Sequence, residues 1–217
     1  MTVSVLADPE CVFCRSNPRK VWESRGLAVC SDPAPLSPGH LLVYTTEHHP
    51  SAAYIGVESA ATLDLLVEAL STRIRSAFGD VVLFEHGRTG HCLRSRPGER
   101  MCHHMHVHLI PGALDLRTLA ALGQSVVLSS WTDVIDLGSQ ADGYAVVGGG
   151  SAPLVFYPVS HSLPPHYLRT VIAEARSTPE LADWETVLSN SDAAEAAPRS
   201  HEIVLELVDG LTIATSC

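Results

Sequence analysis

One stretch constrains this chain more than any other: Cys102-His103-His104-Met105-His106-Val107-His108-Leu109-Ile110-Pro111. His104, His106 and His108 alternate with Met105, Val107 and Leu109. A period of two is that of a strand, whose successive side chains point to opposite faces. The spacing therefore predicts a strand with three imidazoles on one face and apolar core contacts on the other. Neighbours two apart on a strand lie roughly 6.5–7 Å apart, so these imidazoles can share a substrate or divide between metal and substrate. The bland alternative is a half-buried strand whose outer face happens to carry histidine. Twelve histidines in 217 residues ease clustering, but strict alternation beside a fourth, His103, is not the product of scatter.

The chain around this strand has the bulk properties of a folded protein. Its 217 residues suit one enlarged domain, or a domain with a substantial extension, and suffice for a sizeable core. A hydrophobic fraction of 46% with 18% charged residues excludes a disordered chain. The net charge of −10 argues against binding to extended nucleic acid or an anionic membrane, while leaving room for a local basic loop. No apolar run is long enough for a membrane span, and the start MTVSVLADPECVFC lacks the basic and apolar regions of a secretion signal. The expectation is a cytoplasmic protein, whose six cysteines are thiols or metal ligands rather than disulfides.

Taken in order, the chain opens with a CxxC, Cys11 and Cys14, which alone fits either a redox pair or half of a zinc site. A redox pair would open a helix; Asn17-Pro18 follows instead, which favours zinc. Two strand-like runs, residues 26–30 and 40–44, flank the turn-rich SDPAPLSPG and predict an antiparallel pair with a wide connection. Residues 57–78 carry an apolar stripe at helical spacing, closed by Gly79. Residues 80–84 read as a buried strand ending in Glu85-His86-Gly87. The loop RTGHCLRSRPGER holds Arg88, Arg94, Arg96 and Arg100 and leads into the histidine strand. Its forked guanidinium donors suit a phosphate held there.

Beyond Pro111, residues 116–122 predict a short helix with Asp115 as its cap. Residues 144–147 and 154–157 flank GGGSAP and predict a hairpin. Pro164-Pro165 predicts the start of a helix running to about residue 177. Residues 189–200 read as a linker, and residues 202–213 as a hairpin bent at Asp209-Gly210. Three parts result: 1–111, an extension over 112–188 packed on it, and 189–217 as linker and terminal hairpin.

The strand HMHVHLI resembles the signature of the histidine triad (HIT) superfamily, and three further stretches agree in the same order. PGHLLVYTTEH resembles that family's glycine–histidine strand. Asp32, seven residues before Gly39, sits where a ribose-binding acid is common, and CVFC resembles the zinc-containing CxxC branch. The resemblance covers residues 8–111, about half the chain. It implies an α+β fold: a HIT-like antiparallel sheet with a long helix, here carrying a C-terminal α/β extension. It also implies a homodimer and a small-molecule nucleotide substrate.

Carried over residue by residue, the resemblance makes Cys11, Cys14, His48 and His104 ligands of a structural zinc ion, with His49 as an alternative to His48. Two thiolates and two imidazoles form a closed tetrahedral set. His106 corresponds to a nucleophile that attacks the α-phosphorus of a nucleotide derivative and forms a nucleotidyl-histidine intermediate. His108 would donate to a phosphoryl oxygen, and His40 would buttress the pair. Water or another phosphate would then take the nucleotidyl group. The family's serine-containing run before the triad is replaced here by Glu99-Arg100-Met101-Cys102-His103. Arg100, Arg88 or His86, with Gly87 beside it, thus become the candidates for phosphate contact. His161, His166 and Arg169 are candidates to face the leaving group, with plain surface positions as the alternative.

Two other functions compete with a nucleotidyl hydrolase or transferase. One is a non-enzymatic, zinc-stabilised nucleotide-binding module, favoured by the missing serine and opposed by an intact His106. The other is a metalloenzyme using His104, His106 and His108 together as ligands.

Overall fold

The computed structural model describes residues 11–87, 103–115, 119, 121–149, 152–160, 163–164 and 166–213. The two expected strands form as β2 (Leu27–Ser31) and β3 (Leu41–Thr45), antiparallel with Val29 opposite Val43. An edge strand, β1 (Lys20–Ser24), joins β2 and keeps much of its surface outside the core. Helix α1 (Val57–Phe78) follows. Gly79 ends it at φ 84, in the left-handed region, with its N–H on the Arg75 carbonyl.

Next come β4 (Val81–Glu85) and β5 (His106–Pro111), which carries the signature. β5 lies between β3 and β4, both antiparallel to it, so the signature strand occupies the interior of the sheet. Residues 88–102, including all four arginines of the loop, lie outside the described residues.

The remaining chain continues the same sheet. After Pro111 come β6 (Val126–Leu128), α2 (Thr132–Ser139), β7 (Gly143–Gly149) and β8 (Ala152–Val159). β7 and β8 are the expected hairpin, and β7 pairs antiparallel with β4. The result is an eight-stranded sheet in the order β1-β2-β3-β5-β4-β7-β8-β6. Helices α3 (Tyr167–Ala175), α4 (Trp184–Ser189) and α5 (Ser191–Val208) complete this mixed α+β chain. The short helix expected over 116–122 falls partly on residues outside those described.

The terminal hairpin and its linker are corrected by α5. The segment 203–208 is apolar enough to satisfy both periods, but Val204, Leu207, Val208 and Leu211 are buried together while Leu205 is 46% exposed. That is the spacing of one helix face. The alanines before it favour a helix over a linker, and Pro198 lies inside it. Gly210, at φ 60, follows its end rather than bending a hairpin. Arg73 of α1 caps the end by donating to the carbonyls of Leu207 (2.9 Å) and Asp209 (2.6 Å).

The sheet is covered on both faces. Leu41, Val43, Leu83, Val107 and Leu109 face a large core shared with Leu63, Leu66 and Leu70 of α1 and Val204 and Leu207 of α5. On the opposite face, Val82, Phe84, Ile110 and Val147 pack against Leu168 and Ile172 of α3. A small patch of Ala28, Cys30, Leu42 and Tyr44 lies toward the other edge, against Phe13. Between these two patches lie the histidines.

Candidate active site and metal cluster

Pleating decides which side chains meet. On β5, Val107 and Leu109 enter the large core, so His106 and His108 stand on the other face. Tyr44 pairs with His106, and Leu42 and Phe84 flank His108. Phe84 stacks on His108 at 4.2 Å between centroids and 15° between planes. This packing holds an imidazole that a surface strand would leave free to turn.

The hydrogen bonds then assign the protons. His106 Nδ1 lies 2.7 Å from the carbonyl of His104, which can only accept, so Nδ1 carries the hydrogen and Nε2 the lone pair. The amide of Leu36 donates to His40 Nδ1 at 3.2 Å, which puts the His40 proton on Nε2. His40 Nε2 in turn reaches His108 Nδ1 at 3.0 Å. His108 therefore accepts at Nδ1 and keeps its hydrogen on Nε2. The two triad imidazoles differ: one offers a lone pair, the other an N–H.

Burial sets their charge. His106 is only 8% exposed, and desolvation lowers its pKa, opposed by its bond to the His104 carbonyl and by Asp32. His108 is lowered further, by desolvation and then by its neighbours His106 and His40. His40 is pushed down from 6.5 to about 3 by desolvation. In the unfolded chain it would take up its proton first as the pH falls, so stability should fall between pH 6.5 and about 3. This one group contributes a slope of up to about 1.4 kcal/mol per pH unit. Denaturant titrations at stepped pH check this, and His40→Asn should flatten the slope.

Asp32 lines the cavity but is itself only 3% exposed. Its Oδ1 accepts from the Ala34 amide at 2.7 Å, and its Oδ2 meets Arg169 Nη1 at 3.0 Å. That oxygen also lies 3.5 Å from His40 Nε2 and 3.7 Å from His108 Nδ1. The carboxylate expected to read a ribose thus stands behind the His40–His108 pair, both oxygens engaged. Arg169, expected among leaving-group contacts, is its buried counter-ion. It further donates to the carbonyls of Ala34 (2.6 Å), Leu181 (3.3 Å) and Ala182 (3.2 Å). No sequence signal joins Asp32 to a residue 137 positions away.

His86 joins the triad, its ring 5.4 Å from His106 and 6.0 Å from His108, and desolvation lowers it to about 3. Gly87 is set by packing: a Cβ there would lie 2.0 Å from the ring of Tyr144. Arg88, Arg100 and His161 lie outside the described residues.

Cys11, Cys14, His48 and His104 form a separate cluster just before β5. One ligand atom from each lies within 4.8 Å of the others, and the set can hold a metal ion. Cys11 Sγ is 3.3 Å and Cys14 Sγ 3.6 Å from His104 Nδ1, while Cys14 Sγ is 3.1 Å from His48 Nδ1. His104 Nε2 donates to the Thr45 carbonyl at 2.7 Å, leaving its Nδ1 lone pair toward the sulfurs. That is how a metal-binding imidazole is oriented from behind. His49 turns the other way, toward Glu47 at 3.6 Å, and its carbonyl accepts from the Met105 amide.

His104 thus serves the cysteines, and the set His104, His106 and His108 does not converge on one ion. His86, His106 and His108 do bring nitrogens within 4.8 Å, but the bond from His40 places a hydrogen on the His108 nitrogen that would have to ligate.

The triad opens into a cavity of about 360 Å³. The CxxC segment lines one side with Phe13, Arg15 and Arg19; His166 and Trp184 come from the C-terminal part. Phe13, which nothing in the sequence singled out, lies 5.0 Å from the His106 ring and 5.2 Å from His104.

No protein-family model matches the chain, and no curated protein matches it significantly. Among solved structures, the chain is similar to a Hit-like protein of Bartonella henselae, described as involved in cell-cycle regulation and holding an unknown ligand. That match has 19% identity and a TM-score of 0.33, over 42% of this chain and 66% of the other. It is also similar to a hypothetical histidine triad nucleotide-binding protein of Sulfolobus tokodaii, with 25% identity and a TM-score of 0.31, over 45% and 62%. A protein of Streptococcus mutans matches with 21% identity and a TM-score of 0.37, over 53% and 82%. The chain spans just under two thirds of the first two structures' own length. Among the described residues, no helix is long and apolar enough to cross a membrane. Two of these three structures are described as Hit-like or histidine triad nucleotide-binding proteins.

Proposed function

We propose that this protein is a nucleotide-conjugate hydrolase or nucleotidyltransferase acting at the α-phosphate through a nucleotidyl-histidine on His106. The observation that carries the reading is the division of protons between His106 and His108. A lone pair on His106 Nε2, held by Nδ1–H on the His104 carbonyl, suits a nucleophile. An N–H on His108, held by the bond from His40, suits a phosphoryl oxygen that gains charge as the new bond forms. Burial keeps both imidazoles neutral near pH 7, the state each role needs.

We further propose that Cys11, Cys14, His48 and His104 hold zinc. The donor set is two thiolates and two imidazoles, the usual composition of a closed structural site. The ion would supply no chemistry to the reaction; it would tie the N-terminal segment to the end of β3 and the entrance of β5.

Intact mass after brief mixing with adenine nucleotide conjugates tests the reading. A nucleoside monophosphate adduct on His106 supports it; tight binding without an adduct or turnover would leave a non-enzymatic binding module. His108→Ala should leave a slower enzyme, since losing one donor to a developing oxyanion costs about 10²–10³ in rate. Single-turnover kinetics check that, and an unchanged rate removes His108 from the reaction.

A further inference from the structure

The leaving group needs a partner of its own. As His106 Nε2 bonds to phosphorus, the bond from phosphorus to the leaving atom breaks and its electron pair departs with that atom. His108 has one N–H facing the site, and the reading above commits it to a phosphoryl oxygen. Besides His104, which serves the cysteines, two other imidazoles line the cavity, His86 and His166. His86 is held unprotonated by desolvation. His166 is half-buried at the side formed by the C-terminal part, with its Nε2 shut from solvent.

The placement of His166 is built rather than incidental. It is one of three non-glycine residues with positive φ among the described residues, with Arg25 and Ser177, and only His166 lines the cavity. At φ 59, ψ 20 it turns the chain just before α3. Left-handed backbone at a non-glycine residue costs conformational energy and persists where surrounding contacts impose it. Here the Thr170 amide and hydroxyl both donate to the His166 carbonyl, at 2.8 and 3.1 Å. One turn on, Arg169 anchors the same helix to Asp32 behind the triad. The ring of Trp184 meets that of His166 edge-on at 6.3 Å and 82°.

Resting on the assignment of His106 as nucleophile, we propose that His166 is a catalytic residue that protonates the leaving group. Protonated His166 gives its proton to the leaving atom as the bond to phosphorus breaks. The now neutral imidazole then accepts a proton from the water that attacks the nucleotidyl-histidine. The N–P electron pair returns to His106, the nucleoside monophosphate leaves, and His166 is again protonated. The C-terminal part thereby completes a site whose other imidazoles lie on β5 and beside the ends of β3 and β4.

The test uses aryl esters of adenosine 5′-monophosphate, graded from 4-nitrophenyl to 4-methoxyphenyl, in single turnover with the full chain. Asparagine also tolerates left-handed backbone, so His166→Asn keeps the turn and removes the acid. It should lose about 10²-fold or more on the basic 4-methoxyphenol and little on the 4-nitrophenol, in line with the worth of a general acid. His166→Gly, at home at the same φ, should give the same pattern and recover activity when imidazole is added. An equal loss across the series in both variants, or no loss, overturns the proposal. If the unaltered protein forms no adduct with any ester, the nucleophile itself is misassigned, which the His166 variants alone could not produce.

Discussion

Replacing His106 with alanine is expected to abolish nucleotidyl transfer while the Cys–His cluster keeps its metal. The substitution removes the lone pair that would attack phosphorus, and His106 is not among the four clustered ligands. Its Nδ1 bond goes to the carbonyl of the preceding alternate residue on the same segment, and the pairing of β5 with β3 runs through backbone atoms that the substitution leaves in place. The ring is buried, and truncation leaves a small cavity worth about 1–3 kcal/mol, in the ordinary range for single substitutions. The measurement joins single-turnover release of nucleoside monophosphate, bound zinc and melting temperature. Near-native turnover would remove His106 as nucleophile. Loss of metal equal to that of His104→Ala would return the site to a three-histidine metal centre.

The second large effect concerns the cluster. Cys11→Ser, Cys14→Ser or His104→Ala should lower bound zinc and stability first, and activity as a consequence. Removing a ligand strands the others: three metal-binding groups remain gathered without the ion that compensates their crowding. Metal loss belongs to the few mechanisms that reach about 4 kcal/mol or more, equivalent to roughly 8–16 °C in a chain of this size. Because folding and metal binding are coupled, a chelator should mimic these variants in the unaltered protein. Phe13 lies between the cluster and His106, so removing metal also loosens one wall of the cavity. Metal content by elemental analysis and melting with and without chelator decide the matter. A protein without zinc, or serine variants with unchanged metal, would end the assignment.

Much of the site was legible because its information is local. Alternation on β5 placed His106 and His108 on one face, since pleating leaves no other choice once Val107 and Leu109 enter a core. The stripe on α1, the hairpin of β7 and β8 and the pair β2–β3 were readable for the same reason: each is a period or a turn within one segment. The segment 203–208 was misread because it suits both periods. Only the sheet face above it decided that Val204, Leu207 and Val208 should share a helix side.

What the tertiary structure alone decided is the chemistry of the protons and the company of the charges. Which nitrogen of His108 carries hydrogen follows from a chain that runs from the Leu36 amide through His40, and composition cannot order three imidazoles. His48 rather than His49 meets Cys14 because adjacent residues leaving β3 point opposite ways. Asp32 and Arg169 find each other across 137 positions because their charges, shut from water, must be paired at close range. The sequence by itself determined which residue types stand on the signature strand and how they alternate. The fold determined which atoms of those residues donate and which accept, because hydrogen bonds between distant segments, not spacing along the chain, set a buried histidine's tautomer.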